Sequence, residues 1–154
     1  MSDQPNLNIK NKKAYFNYEI SNTFEAGIQL LGSEIKSIRL GKVVIGEAFC
    51  QIKQNEMFLV NMYISEYEYG STFFNHETTR VRKLLLHKRE IKKLAAQIAK
   101  EGVSVVPIKM YITKKGIAKI MLGVGKGKKD HDKRDSIKQK DVKRETDRAL
   151  KKYK

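Results

Sequence analysis

The chain has 154 residues, 40% of them hydrophobic, and a formal net charge of +15 from 32 Lys/Arg against 17 Asp/Glu. That length holds one domain with an appendage and excludes a second core, and the charge calls for a polyanion, nucleic acid ahead of an anionic membrane. One cysteine, Cys50, excludes a disulfide framework and a zinc cluster, and neither a run of about 18 apolar residues nor an apolar N-terminal segment is present, so a cytoplasmic protein is expected.

Residues 1–8 are polar, contain Pro5 and read as a flexible arm. From Ile9 to Leu31, Ala14, Tyr15, Phe16, Tyr18, Ile20, Phe24, Ala26, Ile28 and Leu30 alternate fairly well with polar residues, and Ser21-Asn22-Thr23 interrupts them. The pattern predicts two strands joined by a turn. Over Ser33–Gly41 the period changes: Ile35 and Ile38 are three apart, Ser33 can cap and Gly41 can close a short helix.

Val43–Ile52 returns to strand, with Ala48, Cys50 and Ile52 on one face. Gln54-Asn55-Glu56 turns the chain, and Met57–Ile64 forms a partner strand with Phe58, Val60 and Met62 alternating. Tyr67 to Arg82 has no clean period and reads as a loop closing against the body. The string RKLLLHKREIKKLAAQIAKEG, Arg82–Gly102, predicts a helix that starts near His87, carries Ile91, Leu94, Ala95 and Ile98 on one face and ends at Gly102. Val103–Ile112 and Ile117–Val124 form a hairpin across Thr113–Gly116, after which Gly123, Gly125 and Gly127 suit a flexible exit. Six or seven regularly spaced strands, two helices and no βαβ rhythm predict a mainly β fold, a small antiparallel barrel over residues 9–125 with helices packed on it.

The remaining segment, 126–154, holds thirteen Lys/Arg against six Asp/Glu and has no aromatic residue before Tyr153. So polar a stretch buries too little apolar surface to order itself, and a disordered tail that a partner orders is expected. Asp141 with Arg144, Glu145 with Arg148 and Asp147 with Lys151 have helical spacing. Each such pair contributes only about 0.2–0.5 kcal/mol, so a helix there depends on an anionic groove.

No catalytic constellation emerges. His76, His87 and His131 fall in different elements, Cys50 on its alternating strand reads as a core thiol, and Gly123-x-Gly125-x-Gly127 leads into lysines instead of a helix. The signals that remain suit RNA. Arg80, Arg82, Lys83, Lys88 and Arg89 bracket Leu84-Leu85-Leu86, so guanidinium forks can meet phosphates there, while Lys88, Lys92 and Lys93 also fit a solvated helix face. Tyr15, Phe16 and Tyr18 lie beside Lys12 and Lys13 and can stack on unpaired bases, although about half must face the core. Glu25 is a carboxylate in a basic region that can accept from a base amino group, and His131 has no apolar neighbour and can stack.

Four strings, in this order, resemble the SmpB family of tmRNA-binding proteins: NKKAYFNYEI (Asn11–Ile20), FEAGIQLLGSEIKSIRLGK (Phe24–Lys42), RVRKLLLHKREI (Arg80–Ile91) and KGKKDHDKR (Lys126–Arg134). The resemblance implies an OB-like antiparallel barrel that is not an enzyme and has no cofactor. Its partners would be the tRNA-like domain of tmRNA and, through the tail, the decoding centre and empty mRNA path of a stalled ribosome, in trans-translation. It places tmRNA contact on Asn11, Lys12, Glu25, Ala26, Gly27, Lys36, Arg80, Arg82, Lys83 and Leu84. Ribosome contact falls on Lys126, Gly127, Lys128, Lys129, His131, Asp132, Lys133 and Arg134, with a bound-state helix beyond, on a monomer. Phe16 replaces the family's usual His, and Thr78 its usual Pro, which implies a looser loop before Arg80. A permanent ribonucleoprotein component is the competing reading, and a small RNA-processing enzyme, resting on His131 and Cys50, is the third.

Overall fold

Ala118, Ile120, Leu122 and Val124, the cleanest alternation in the sequence, form the buried side of the fold's central strand. In the computed structural model, which describes residues 7–70, 75–129 and 134, the chain runs β1 (Asn8–Lys10), α1 (Lys12–Asn17), β2 (Tyr18–Ile28), α2 (Gly32–Arg39), β3 (Val43–Val44) and β4 (Phe49–Lys53). It continues through β5 (Glu56–Val60), β6 (Tyr63–Ile64), β7 (Arg82–Leu85), α3 (Lys88–Glu101), β8 (Ser104–Ile112) and β9 (Ala118–Gly127). Seven strands make one antiparallel sheet in the order β1-β8-β9-β2-β7-β5-β4, and β3 pairs with β6 separately.

The sheet curls until β4 comes close to β8, but no ladder joins those two strands and the barrel is not closed there. The open seam refines the expected barrel. Two bulges drive the curl: Ser21 is extra between the pairs Ile20↔Gly125 and Asn22↔Val124, and Ile108 is extra between Pro107↔Leu122 and Lys109↔Met121. Inside lie Ile38, Met57, Leu59, Met62, Ile64, Leu84, Met110 and the β9 residues; a smaller cluster of Ala14, Val106 and Ile108 sits under α1.

Several expectations change. KKAYFN is a helix, with Ala14 and, one turn on, Tyr18 packed on Val106 and Ile108; a strand would also put Phe16 on that side, so the alternation of these residues does not tell the two apart. Ser21-Asn22-Thr23 is a bulge within one long strand; the Ser21 hydroxyl donates to the Val124 carbonyl (3.2 Å). The inward residues of β5 are Met57 and Leu59, with Phe58 and Val60 half-buried, and Asn61 at φ 69° resets the phase so that Met62 and Ile64 also face in. Arg82–Leu85, at the head of the helical string, is a strand, while α3 starts at Lys88 with His87 as its N-cap and closes on Gly102 at φ 65°, as expected. The glycines before the tail are not an exit hinge. A Cβ at Gly125 would lie 2.5 Å from the Glu19 carbonyl, and one at Gly123 2.9 Å from Ile108 Cγ2, so glycine is what lets β2, β8 and β9 meet.

Candidate nucleic-acid interface

The string Arg82-Lys83-Leu84-Leu85 alternates inward and outward on β7, between β2 and β5. Arg82 points in and is 0% exposed. Its Nε donates to Glu34 Oε2, its Nη1 to the Met62 carbonyl (2.5 Å) and its Nη2 to the Thr78 carbonyl (3.1 Å). Glu34, equally buried on α2, also accepts from Arg80 Nη2 (2.6 Å) and from the Leu31 backbone N–H (2.8 Å), capping α2 with a side chain that Ser33 was expected to supply. Burial pushes the Glu34 carboxyl up, but the hydrogen bonds from Arg80, Leu31 and Arg82 outweigh it and hold the group below the usual carboxylate range. Burial likewise lowers the Arg82 guanidinium below its ordinary value, against the opposing pull of Glu34.

Arg82 is therefore a buried clamp: every face of its guanidinium is turned to protein. Sequence reasoning missed Glu34, although Glu34, Ser37 and Ile38 share the buried face at i, i+3 and i+4. The clamp also tightens the Thr78 loop. Its carbonyl accepts from Arg82 and from the Ile64 N–H (2.9 Å), which supplies the rigidity a proline would have given. His76, buried beside it, bonds Ser33 Oγ through Nδ1 (2.8 Å) and the Ile64 carbonyl through Nε2 (2.9 Å), a structural role.

The outward residues build the other side. Pairing puts Gly27 opposite Leu85 and Lys119, and Lys119 opposite Tyr111. A groove of about 480 Å³ opens along this face, lined by Glu25, Gly27, Lys83, Leu85, Lys88 and Lys119 among others. Leu85 is 52% exposed on it, and Gly27 gives it floor space, since a Cβ there would come within 3.2 Å of Leu85 Cβ. Lys83 pairs with Glu56 at 3.0 Å, a solvent-exposed contact that yields readily to a phosphate. An apolar base-sized floor rimmed by three ammonium groups, Lys83, Lys88 and Lys119, and by the carboxylates of Glu25, Glu56 and Glu90 suits nucleotides.

The structure brings together Glu25, Gly27, Lys83 and Leu84 around this groove, with Ala26 and Leu84 contributing from the buried side of their strands. Leu85, Lys119 and Lys88 join them, which the motif reading did not include. Lys36 lies elsewhere, its ammonium 5.4 Å from the centre of the Tyr67 ring, and Arg80 sits at the edge of the Glu34 clamp with its side chain 32% exposed. Asn11 is buried: its Nδ2 donates to the carbonyls of Pro107 (2.8 Å) and Ile45 (3.2 Å), strapping α1 to the barrel, while Lys12 beside it is exposed. Of the aromatic trio, Tyr15 is exposed and Phe16 and Tyr18 are half-buried. Burial pushes the Cys50 thiol up, leaving it inert as a nucleophile at neutral pH.

Of the tail residues, Lys126 and Gly127 belong to β9, paired with Glu19 and Tyr18, and the Lys128 N–H donates to the Asn17 carbonyl (2.8 Å). Lys129 and Arg134 are exposed. His131, Asp132 and Lys133 lie outside the described residues, as does the helical charge pattern beyond them.

Comparison with known proteins agrees with this geometry. The family model described as SmpB protein matches residues 8–152. Proteins named SsrA-binding protein are similar over nearly their full lengths: that of Parabacteroides distasonis is 49% identical (95% of each chain covered). Those of Flavobacterium johnsoniae (50% identical; 96% of this chain, 97% of that one) and Shouchella clausii (54%; 92% and 90%) are as close. Among solved structures, a chain from "tmRNA-SmpB: a journey to the center of the bacterial ribosome" superposes with a TM-score of 0.67 at 40% identity, covering 84% of this chain and 94% of that one. A family model that spans nearly the whole chain, relatives at about half identity and a shared fold place this protein in the SmpB family.

Proposed function

We propose that this protein binds the tRNA-like domain of tmRNA and carries it to stalled ribosomes for trans-translation, as a monomeric cytoplasmic adaptor and not as an enzyme. The observation that carries this reading is the match over residues 8–152 to a family whose close relatives are SsrA-binding proteins. The geometry suits the task. Lys83, Lys88 and Lys119 meet phosphates around the groove while Glu25 and the Gly27–Leu85 floor meet sugar or base, and Lys12, Lys36 and Arg80 extend the contact. Asn11, Ala26, Arg82 and Leu84 support this surface from beneath. The segment from Lys126 to Arg134 contacts the ribosome, and the chain beyond it folds as a helix in the mRNA path.

Binding of tmRNA and of its isolated tRNA-like domain, measured with and without residues after Lys129, tests the division of labour. Both RNAs should bind full-length and truncated protein alike, whereas peptide tagging on stalled ribosomes should vanish on truncation. Equal tagging by the truncated chain, or loss of RNA binding with it, would overturn the assignment.

A further inference from the structure

Glu25 lines the groove together with Lys83, Lys88 and Lys119 and with the carboxylates Glu56 and Glu90, yet no ion pair among the described residues includes it. Its hydrogen-bond partner is a phenol. Tyr111 Oη donates to Glu25 Oε2. The two residues are on β2 and β8, with β9 between them: Tyr111 stands opposite Lys119, whereas Glu25 stands opposite Met121. The tyrosine therefore lies diagonally across β9 to reach the carboxylate, and Lys109 holds its ammonium 5.4 Å from the centre of that ring, where the ring's negative face attracts it. Glu25 and Lys119 line the groove and Tyr111 does not, so the phenol takes its carboxylate oxygen from the flank.

We propose that Tyr111 is a positioning residue for RNA recognition, resting on the function proposed above: it holds Glu25 from behind through Oε2, so that Oε1 faces the groove as a hydrogen-bond acceptor. A lysine partner would fix the carboxylate equally well but would bring three donors to compete for the same oxygens; a tyrosine brings one, and a carboxylate offers only acceptor sites in return. What Oε1 takes from the RNA is then one donor hydrogen, from a ribose 2′-hydroxyl or a base's exocyclic amine.

Tyr111→Phe keeps the ring and its lysine contact and removes only the hydroxyl. Affinity for a transcript of the tRNA-like domain should fall at least about tenfold, in line with loss of a charge-assisted hydrogen bond, with no change in thermal midpoint. In a Glu25→Ala background the same substitution should cost nothing further. Additive losses, or an unchanged affinity, would overturn the proposal, since a structural role for the hydroxyl would persist without Glu25. Transcripts carrying 2′-deoxynucleotides, or base analogues without the exocyclic amine, separate the two donors: the analogue that weakens wild-type protein but not Glu25→Ala identifies the source. If no analogue distinguishes the two proteins, Glu25 does not accept from RNA and the inference fails. Absence of wild-type binding to the transcript would instead remove the RNA-binding reading itself.

Discussion

The two faces of β7 use the same kinds of residue for opposite ends. On the inner face, Arg82 is sealed against Glu34 and the carbonyls of Met62 and Thr78, and its charge holds α2, β6 and the Thr78 loop to the barrel. On the outer face, one residue along, Lys83 makes a loose pair with Glu56 beside a leucine left open to solvent. A cation without water needs every donor satisfied and so becomes structural; one in water keeps its donors exchangeable and so can bind. Proximity in a basic motif therefore says little about which arginine or lysine touches the ligand.

This contrast breaks most decisively at its inner member. Arg82→Ala leaves Glu34 charged and buried with one partner gone and removes a donor from the carbonyls of Met62 and Thr78, so a loss of about 3–5 kcal/mol is expected; thermal denaturation should show a midpoint lower by on the order of 10 °C. A melt close to wild type, with weakened RNA binding, would return Arg82 to the interface. Acid titration addresses the same clamp from its other partner. Because the folded Glu34 carboxyl lies below its unfolded value, its contribution is present above the unfolded pKa and is lost as pH falls through the folded one. Denaturant unfolding should thus show wild-type stability declining below about pH 4, and Glu34→Gln should be destabilised at pH 7 with a shallower acid decline.

Gly125→Ala probes the seam that both faces share. The added carbon meets backbone at 2.5 Å and should destabilise by about 1–3 kcal/mol, measured in urea, through separation of β2 from β9. The smallest effect belongs to the outer face. Lys83→Ala and Lys119→Ala should change stability by less than about 0.5 kcal/mol and reduce the slope of log affinity against log salt by about 1 for each phosphate left without its lysine. An unchanged slope would move the phosphate path off this groove.

How far the fold can be read before its structure follows from the same contrast. The β8–β9 hairpin and the core face of α3 were legible because their inward residues are uniformly apolar, so periods of 2 and 3.6 show through. β7 was hidden in a helical string because its inward member is an arginine and its outward member, Leu85, is a leucine, which inverts the pattern. α1 is six residues long, too short to declare a period between two strands, and the polar Ser21-Asn22-Thr23 looks the same as turn or as bulge. Half of the candidate site followed the motifs, Glu25, Gly27 and Lys83 above all; Leu85 and Lys88 sit in the same basic string as Lys83 but on β7 and α3, so which of its residues face the groove was not legible, and Lys119 on β9 lies outside every motif.

By itself, then, the chain determined quantities that add up along it: one core, a large positive charge, a segment too polar to fold alone, and the motifs that point to its family. Tertiary structure decided which side of each strand a charge lies on, where the last strand ends and which lysines surround Glu25. Burial is a property of neighbours brought from afar, and Arg82 is interior only because Glu34, forty-eight positions away, is there to receive it.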